Sequence, residues 1–151
     1  MRKNLYLLLG FGILLLSACS YDSEKAVKNG DVINNNGPVF NFSSFELFLE
    51  KIEGKKPASV RIANYTPEGD PTLYNLTFDG SSIDLEIDRS KNNNRGNEPA
   101  KDNMTCKDLV KEDGHQVLTY TLESCEKDSF AESYVLLTVL KDQEDDHDHD
   151  H

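Results

Sequence analysis

The sequence predicts an α+β fold, a single domain in which one or two N-terminal helices pack on a five- or six-stranded, mostly antiparallel sheet. Three observations predict it. Phe45, Phe48, Leu49 and Ile52 recur at i, i+3, i+4 and i+7, a single apolar stripe at helical spacing. From Ser59 onward the apolar period falls from 3.6 to 2, so each segment has one dry and one wet face. The helical signals come first and the strand signals afterwards, which argues against an alternating, doubly wound arrangement.

In chain order the first element is a leader. Arg2 and Lys3 open it, residues 5–16 are almost wholly apolar, and the small residues Ser17 and Ala18 precede Cys19, the three parts of a secretory signal. The apolar run falls short of the roughly 20 residues that a spanning helix needs. Residues 1–18 are therefore read as a signal peptide. Leu16, Ser17, Ala18 and Cys19 resemble a bacterial lipobox. That resemblance implies a diacylglyceryl group on the Cys19 sulfur and cleavage before it, and two acyl chains anchor durably where one does not. Residues 19–22 become a short lipidated tether, and residues 23–140 a domain held outside the cytoplasm against the outer face of the cell membrane.

Residues 23–30, SEKAVKNG, read as a short helix with Ser23 as N-cap and Asn29-Gly30 as a left-handed stop. Two short extended pieces, 31–33 and 39–41, flank an Asn-rich turn ending in Gly37-Pro38. The main helix follows. Ser43 and Glu46 have capping-box spacing, Phe42 and Leu47 suit a hydrophobic staple, and Gly54 with Pro57 marks the stop. Its apolar stripe reads as core packing rather than as a ligand groove. Val60 and Ile62, then Tyr74, Leu76 and Phe78, then Ile83, Leu85 and Ile87 alternate with polar residues as three strands. The joints TPEGDP and DGSS are turn chemistry.

Residues 89–103 carry no apolar period and read as a mobile loop. A second hairpin runs through CKDLV, turns at EDGH and returns through QVLTYTLESC, with Cys106 and Cys125 near its open end. YVLLTVL, 134–140, is apolar without alternation, the pattern of a strand buried on both faces. The terminal stretch, residues 141–151, is too charged to pack and reads as a disordered tail.

Cleavage after residue 18 would remove two bases and no acid. Sixteen basic residues then become 14 against the same 27 acidic ones, and the net charge moves from −11 to −13. Such a surface repels phosphate backbones, which argues against nucleic acid and leaves a cationic partner open. With Cys19 lipidated, Cys106 and Cys125 are an even pair in an oxidising compartment and most simply form a disulfide; two free thiols are the alternative.

Asp146, His147, Asp148, His149, Asp150 and His151 interleave carboxylate and imidazole. Such a tail suits weak, unselective capture of Zn, Ni or Cu(II), and it equally suits a solubilising role. No folded metal centre and no resident cofactor are expected. Asp84, Glu86 and Asp88 share one strand face about 6.8 Å apart per step, too wide for one calcium ion. They read as a solvated face. His115 lies in a hairpin turn, and the chain lacks HExxH, GxSxG, CxxC and a phosphate-cradling glycine loop, so an enzyme is not expected.

The segments KNGDVI at 28–33, RIANYTPEGDP at 61–71 and YNLTFDG at 74–80, with the later cysteine pair, resemble the domain of unknown function 4362 family of small Bacillus-type lipoproteins. The resemblance marks Gly30, Asp31, Tyr65, Thr66, Glu68, Gly69 and Asp70 as family-motif positions and implies no catalytic role. Asp31 and Asp70 either form a site or satisfy turn amides. The expected function is that of a monomeric, membrane-anchored domain that binds another cell-envelope component. Inhibition of a cationic, lysozyme-like wall hydrolase and metal capture by the tail are the alternatives.

Overall fold

Gly30 is the first residue at which the chain must reverse. In the computed structural model, which describes residues 23–35, 37–126 and 133–141, helix α1 (Ser23–Lys28) ends just before it. The Gly30 N–H donates to the Val27 carbonyl and the Asp31 N–H to the Ala26 carbonyl, with Gly30 left-handed at φ +83°. This is the paired closure that a helix makes when a glycine follows it. Strand β1 (Val32–Asn34) leaves directly and pairs antiparallel with β2 (Val39–Phe40).

Helix α2 (Ser43–Glu53) forms on its apolar stripe and stops at Gly54 as expected, but neither N-terminal device is used. Phe42 already has helical angles (φ −60°, ψ −29°), and no side-chain cap hydrogen bond forms. The turn into the helix falls on left-handed Asn41 (φ 58°), whose side-chain amide donates to the Asp31 carbonyl at 3.1 Å. The expected staple also fails: Leu47 is 57% exposed, because Phe42 turns inward to sit 6.0 Å from the Tyr120 ring. At the other end Gly54 is not the left-handed residue (φ −76°); Lys55 is, at φ 51°. The Lys55 and Lys56 N–H groups close the helix onto the Ile52 and Lys51 carbonyls.

After α2 come β3 (Ala58–Tyr65), β4 (Pro71–Phe78), β5 (Ile83–Asp88) and β6 (Lys101–Cys106), completing a six-stranded sheet in the order β2-β1-β3-β4-β5-β6. α2 is the crossover that lays β1 parallel to β3; every other pair is antiparallel. β7 (Asp108–Asp113), β8 (Val117–Glu123) and β9 (Ser133–Leu140) form a second sheet of three. Two helices with mostly antiparallel strands make the α+β class that the periodicity predicts.

The dry residues of β3, β4 and β5 meet α2 and the small sheet in one core containing Phe45, Phe48, Ile62, Leu76, Leu85 and Tyr120. Ala26 of α1 packs with Ile33, Ala63 and Tyr65 in a separate cluster, which these strands build from the alternate residues of β1 and β3. The two helices therefore cover opposite faces, not one.

Three strand-level readings are corrected. Residues 101–103, taken as loop, belong to β6, whose only buried side chains are Met104 and Cys106. β9 is an edge strand rather than a doubly buried one, with Val135 57% exposed. Its alternation is broken because Tyr120 pairs with Leu137 and Thr121 with Val135, so Leu136 is an extra residue and two consecutive leucines turn inward. The Cys106–Cys125 disulfide forms, but it joins the end of β6 to the residue pair after β8. It ties one sheet to the other, and closing a loop of 19 residues contributes about 3 kcal/mol in the chain-entropy model.

Two outcomes follow from this local geometry. Lys55→Gly relieves a left-handed non-glycine residue and should raise unfolding stability by about 1 kcal/mol in denaturant titration. In the β4–β5 turn, the Ser82 and Ser81 N–H groups and the Ser81 hydroxyl hold the Asp79 carboxyl at about 2, below its ordinary 3.8. A depressed carboxyl stabilises the fold above its unfolded value and ceases to do so as pH falls through about 2. Carbon NMR of the Asp79 carboxyl should titrate there, and Ser81→Ala should move the midpoint upward.

Candidate functional site

On the six-stranded sheet, the residues that alternate with the main core make a polar face. Register places Asp84 between Thr77 and Thr105, Glu86 between Asn75 and Asn103, and Asp88 between Leu73 and Lys101. The Thr105 hydroxyl donates to Asp84 at 2.6 Å, and Lys101 reaches Glu86 at 3.5 Å and Asp88 at 3.4 Å. Burial pushes the Asp88 carboxyl up, yet hydrogen bonds from Ser90 and the Lys101 ammonium outweigh it and hold the group below the usual range. Asp88 in turn, with Glu86, holds the Lys101 ammonium above its usual range.

Around the β6 edge this face deepens into a groove of about 730 Å³. Asp84, Glu86, Asp102 and Glu126 line it with one cation, Lys101. Asp84 and Glu86 of the solvated acidic row that the sequence predicts thus form one wall of a concave surface. Asp102 and Glu126 complete that surface, and only the β6 pairing and the bridge between Thr105 and Glu126 bring them there.

A second concavity, about 500 Å³, lies between α2 and β3 and reaches Asn75, Leu76 and Thr77 of β4. Gly30 and Asp31 line it, as do Leu47 and Lys51 of α2 and Ser59 and Arg61 of β3. Asp31 is 4% exposed, and the Arg61 guanidinium donates to both of its oxygens, Nε at 2.9 Å and Nη2 at 3.0 Å. A planar two-bond pair of this kind fixes orientation as well as charge.

The YTPEGDP segment builds a brace. Tyr65 is buried in the smaller core cluster and Glu68 is exposed. The Gly69 N–H donates to the Thr66 carbonyl with Gly69 at φ +87°, and the Asp70 N–H donates to the Thr66 hydroxyl at 3.2 Å. This tight turn aims the Asp70 carboxylate at the β5–β6 connection. There it accepts the Asn93 N–H at 2.9 Å, the Asn93 side-chain amide at 3.0 Å and the Asn94 side-chain amide at 3.1 Å. Asn92 adds a buried bond to the Thr72 hydroxyl at 3.2 Å. The stretch read as a mobile loop is therefore pinned at its centre.

Arg89 is the residue that pattern reading missed. It follows the last inward-facing residue of β5 by one alternation, is 8% exposed, and pairs through Nε with Glu98 at 2.8 Å. Its Nη1 is buried without a hydrogen-bond partner. Burial, then the hydrogen bond with Tyr74, push the nearby Tyr134 phenol far above its ordinary range, with Arg89 acting against them. Extending the β5 alternation by one step is the signal that finds Arg89.

Asp31 and Asp70 do not meet. Asp31 is held at Arg61, and Asp70 acts past the end of the same strand, about 13 Å further along four residues of β3. Asp70 satisfies amides, as expected of a turn acid, whereas Asp31 is an ion-pair partner. His115 is exposed in the β7–β8 turn. Cys19 and the tail residues 146–151 lie outside the described residues, and among the described residues no group of three or more His, Cys, Asp or Glu is placed to hold a metal ion.

These features define a small α+β domain whose motif residues serve to shape surfaces: an ion pair in one groove and a carboxylate that braces a loop. Residues 29–121 match the model of the domain of unknown function family DUF4362, and the chain belongs to that family. The matched span contains both the Gly30-Asp31 corner and the 65–70 turn. No curated protein and no solved structure matches the chain.

Removing the brace has a defined outcome. Asp70→Ala leaves the Asn93 N–H without its acceptor and should accelerate hydrogen exchange at that amide about fivefold, equivalent to about 1 kcal/mol. Exchange in the centres of β4 and β5 should stay unchanged.

Proposed function

We propose that this chain is a non-catalytic binding domain, lipid-anchored outside the cytoplasm through Cys19, that engages a cationic protein of the cell envelope through the acidic groove of β5 and β6. The groove carries the reading: Asp84, Glu86, Asp102 and Glu126 line a concavity of about 730 Å³ that holds a single cation, Lys101. A cationic surface entering it meets a field of one sign, which steers encounter more than it adds final affinity. The Lys101 ion pairs are solvent-exposed and contribute little, so a partner can displace them at small cost.

The leader, the small residues at 17 and 18 and Cys19 support the anchor. A cationic wall hydrolase of the lysozyme class is one partner with the required charge, and occupation by this groove would make the domain its inhibitor. Metal capture belongs to the Asp/His tail and is a separate proposal that the groove does not need.

A cationic lysozyme serves as the probe. Association with the full-length protein should be measurable at low salt and slow steeply as salt rises, and the triple variant Asp84→Asn, Glu86→Gln, Asp102→Asn should cut the on-rate about tenfold. Absence of binding at low salt ends the inhibitor reading. Cross-linking on intact cells that recovers no neighbour beyond those of an unrelated lipid-anchored control ends the binding reading as a whole.

A further inference from the structure

The second concavity has a feature that the acidic groove lacks. β1 pairs with β3 only at Ile62, Ala63 and Asn64, because the chain enters β1 from the Gly30 turn at that level. β4 runs beside β3 along its whole length, from Ala58 to Tyr65. Among the described residues, then, β3 has a strand on one side only along residues 58–61. That stretch is about 13 Å long, and α2 forms the wall opposite it.

A helix facing a short open strand edge across a groove is the geometry in which proteins take up an extended peptide as an added strand. Main-chain bonds then supply affinity, and the walls select side chains. Here the walls are specific. Leu47 is 57% exposed and stands one helical turn from Lys51. Arg61 lies on the strand side, and the groove's single carboxylate, Asp31, has both oxygens engaged by it. On a chain of net charge −11, this groove is lined by two cations and one already paired acid.

We infer that the groove between α2 and residues 58–61 of β3 binds an extended acidic peptide segment of another protein by strand addition, with an apolar residue of that segment on Leu47 and a carboxylate at Lys51. The inference is independent of the acidic groove, whose lining comes from β5, β6 and Glu126, whereas this concavity is lined by residues 29–31, α2, β3 and Asn75, Leu76 and Thr77 of β4.

The probes are three dye-labelled hexapeptides: Thr-Glu-Val-Glu-Val-Thr, its lysine counterpart Thr-Lys-Val-Lys-Val-Thr, and a form of the first with proline at the fourth position. Binding to the full-length chain in detergent is read by fluorescence anisotropy, and the contact is mapped by hydrogen exchange. The acidic peptide should bind, should slow exchange at residues 58–61, and should lose at least tenfold affinity against Lys51→Glu, an exposed helix position whose variant is checked for an unchanged fold by circular dichroism. The lysine and proline forms should bind at least tenfold more weakly.

No binding of the acidic peptide overturns the inference. So does equal binding of the proline form, which lacks the strand donor, or protection that maps away from β3. If deleting residues 142–151 by itself changes exchange at 58–61, the chain's own acidic tail fills the groove and a separate partner is excluded. Neutralising Asp84, Glu86 and Asp102 should leave all of these outcomes unchanged, which separates this inference from the acidic-groove reading.

Discussion

The edge-to-face contact between Phe45 and Tyr120, with ring centroids 5.0 Å apart, is the joint on which the architecture depends. Both rings are almost wholly buried, Phe45 at 0% and Tyr120 at 1% exposure. Phe45 belongs to α2 and Tyr120 to the central strand of the small sheet, so one aromatic pair locks helix, small sheet and large sheet around one core. Such a pair adds about 1 kcal/mol beyond the area it buries. Its larger effect is positional. With α2 fixed against the inner face, the chain that leaves β1 must return along the same direction into β3, and the parallel pairing follows.

That crossover distributes the surfaces. β1 is short and begins where Gly30 ends α1, so it covers only part of β3. The α1–β1 corner then places Asp31 against Arg61, and the ion pair becomes the end wall of the α2–β3 groove. At the other edge, β6 and the residue after Cys125 are drawn together by the disulfide, which brings Glu126 beside Asp84, Glu86 and Asp102. The acidic groove is therefore a product of the junction between the sheets, and the mixed-charge groove a product of the crossover.

Much of the fold was legible because the strands alternate cleanly. Tyr74, Leu76 and Phe78 stand opposite Ile87, Leu85 and Ile83, the register that two period-2 segments joined by DGSS imply. The cysteine pair was legible from parity once Cys19 is set aside. β6 was not, because an edge strand reading Lys-Asp-Asn-Met-Thr-Cys buries two side chains and carries almost no periodic signal. β9 misled because a bulge imitates a doubly buried strand. The capping-box spacing at Ser43 was overridden by tertiary packing, since Phe42 gains more on Tyr120 than it would on a surface leucine. Gly30, Asp31 and Asp70 were visible as positions, but their partners were not. Arg61 is 30 residues from Asp31, and Asn93 is 23 from Asp70, separations that no local pattern encodes.

The treatment of the sheet edges bears on which surface is built to receive a strand. Exposed edges invite pairing with other chains, and proteins blunt them with shortness, charge, bulges or cross-links. Among the described residues each outer edge carries such a device. β2 has two residues, β9 has the bulge at Leu136, β7 presents Asp108, Lys111, Glu112 and Asp113, and β6 presents Lys101 and Asp102 and ends in the disulfide. Residues 58–61 of β3 carry no bulge or cross-link, and their one charge, Arg61, is bound to Asp31: Ala58, Ser59 and Val60 are uncharged, regular in register and paired on the far side without interruption. Among the described residues this least blunted stretch of strand edge is also the stretch that faces a groove wall with an exposed leucine and a lysine. An edge left open by neglect would be expected on a flat surface, whereas this one lies inside a concavity, where only a segment narrow enough to lie as a strand can reach it.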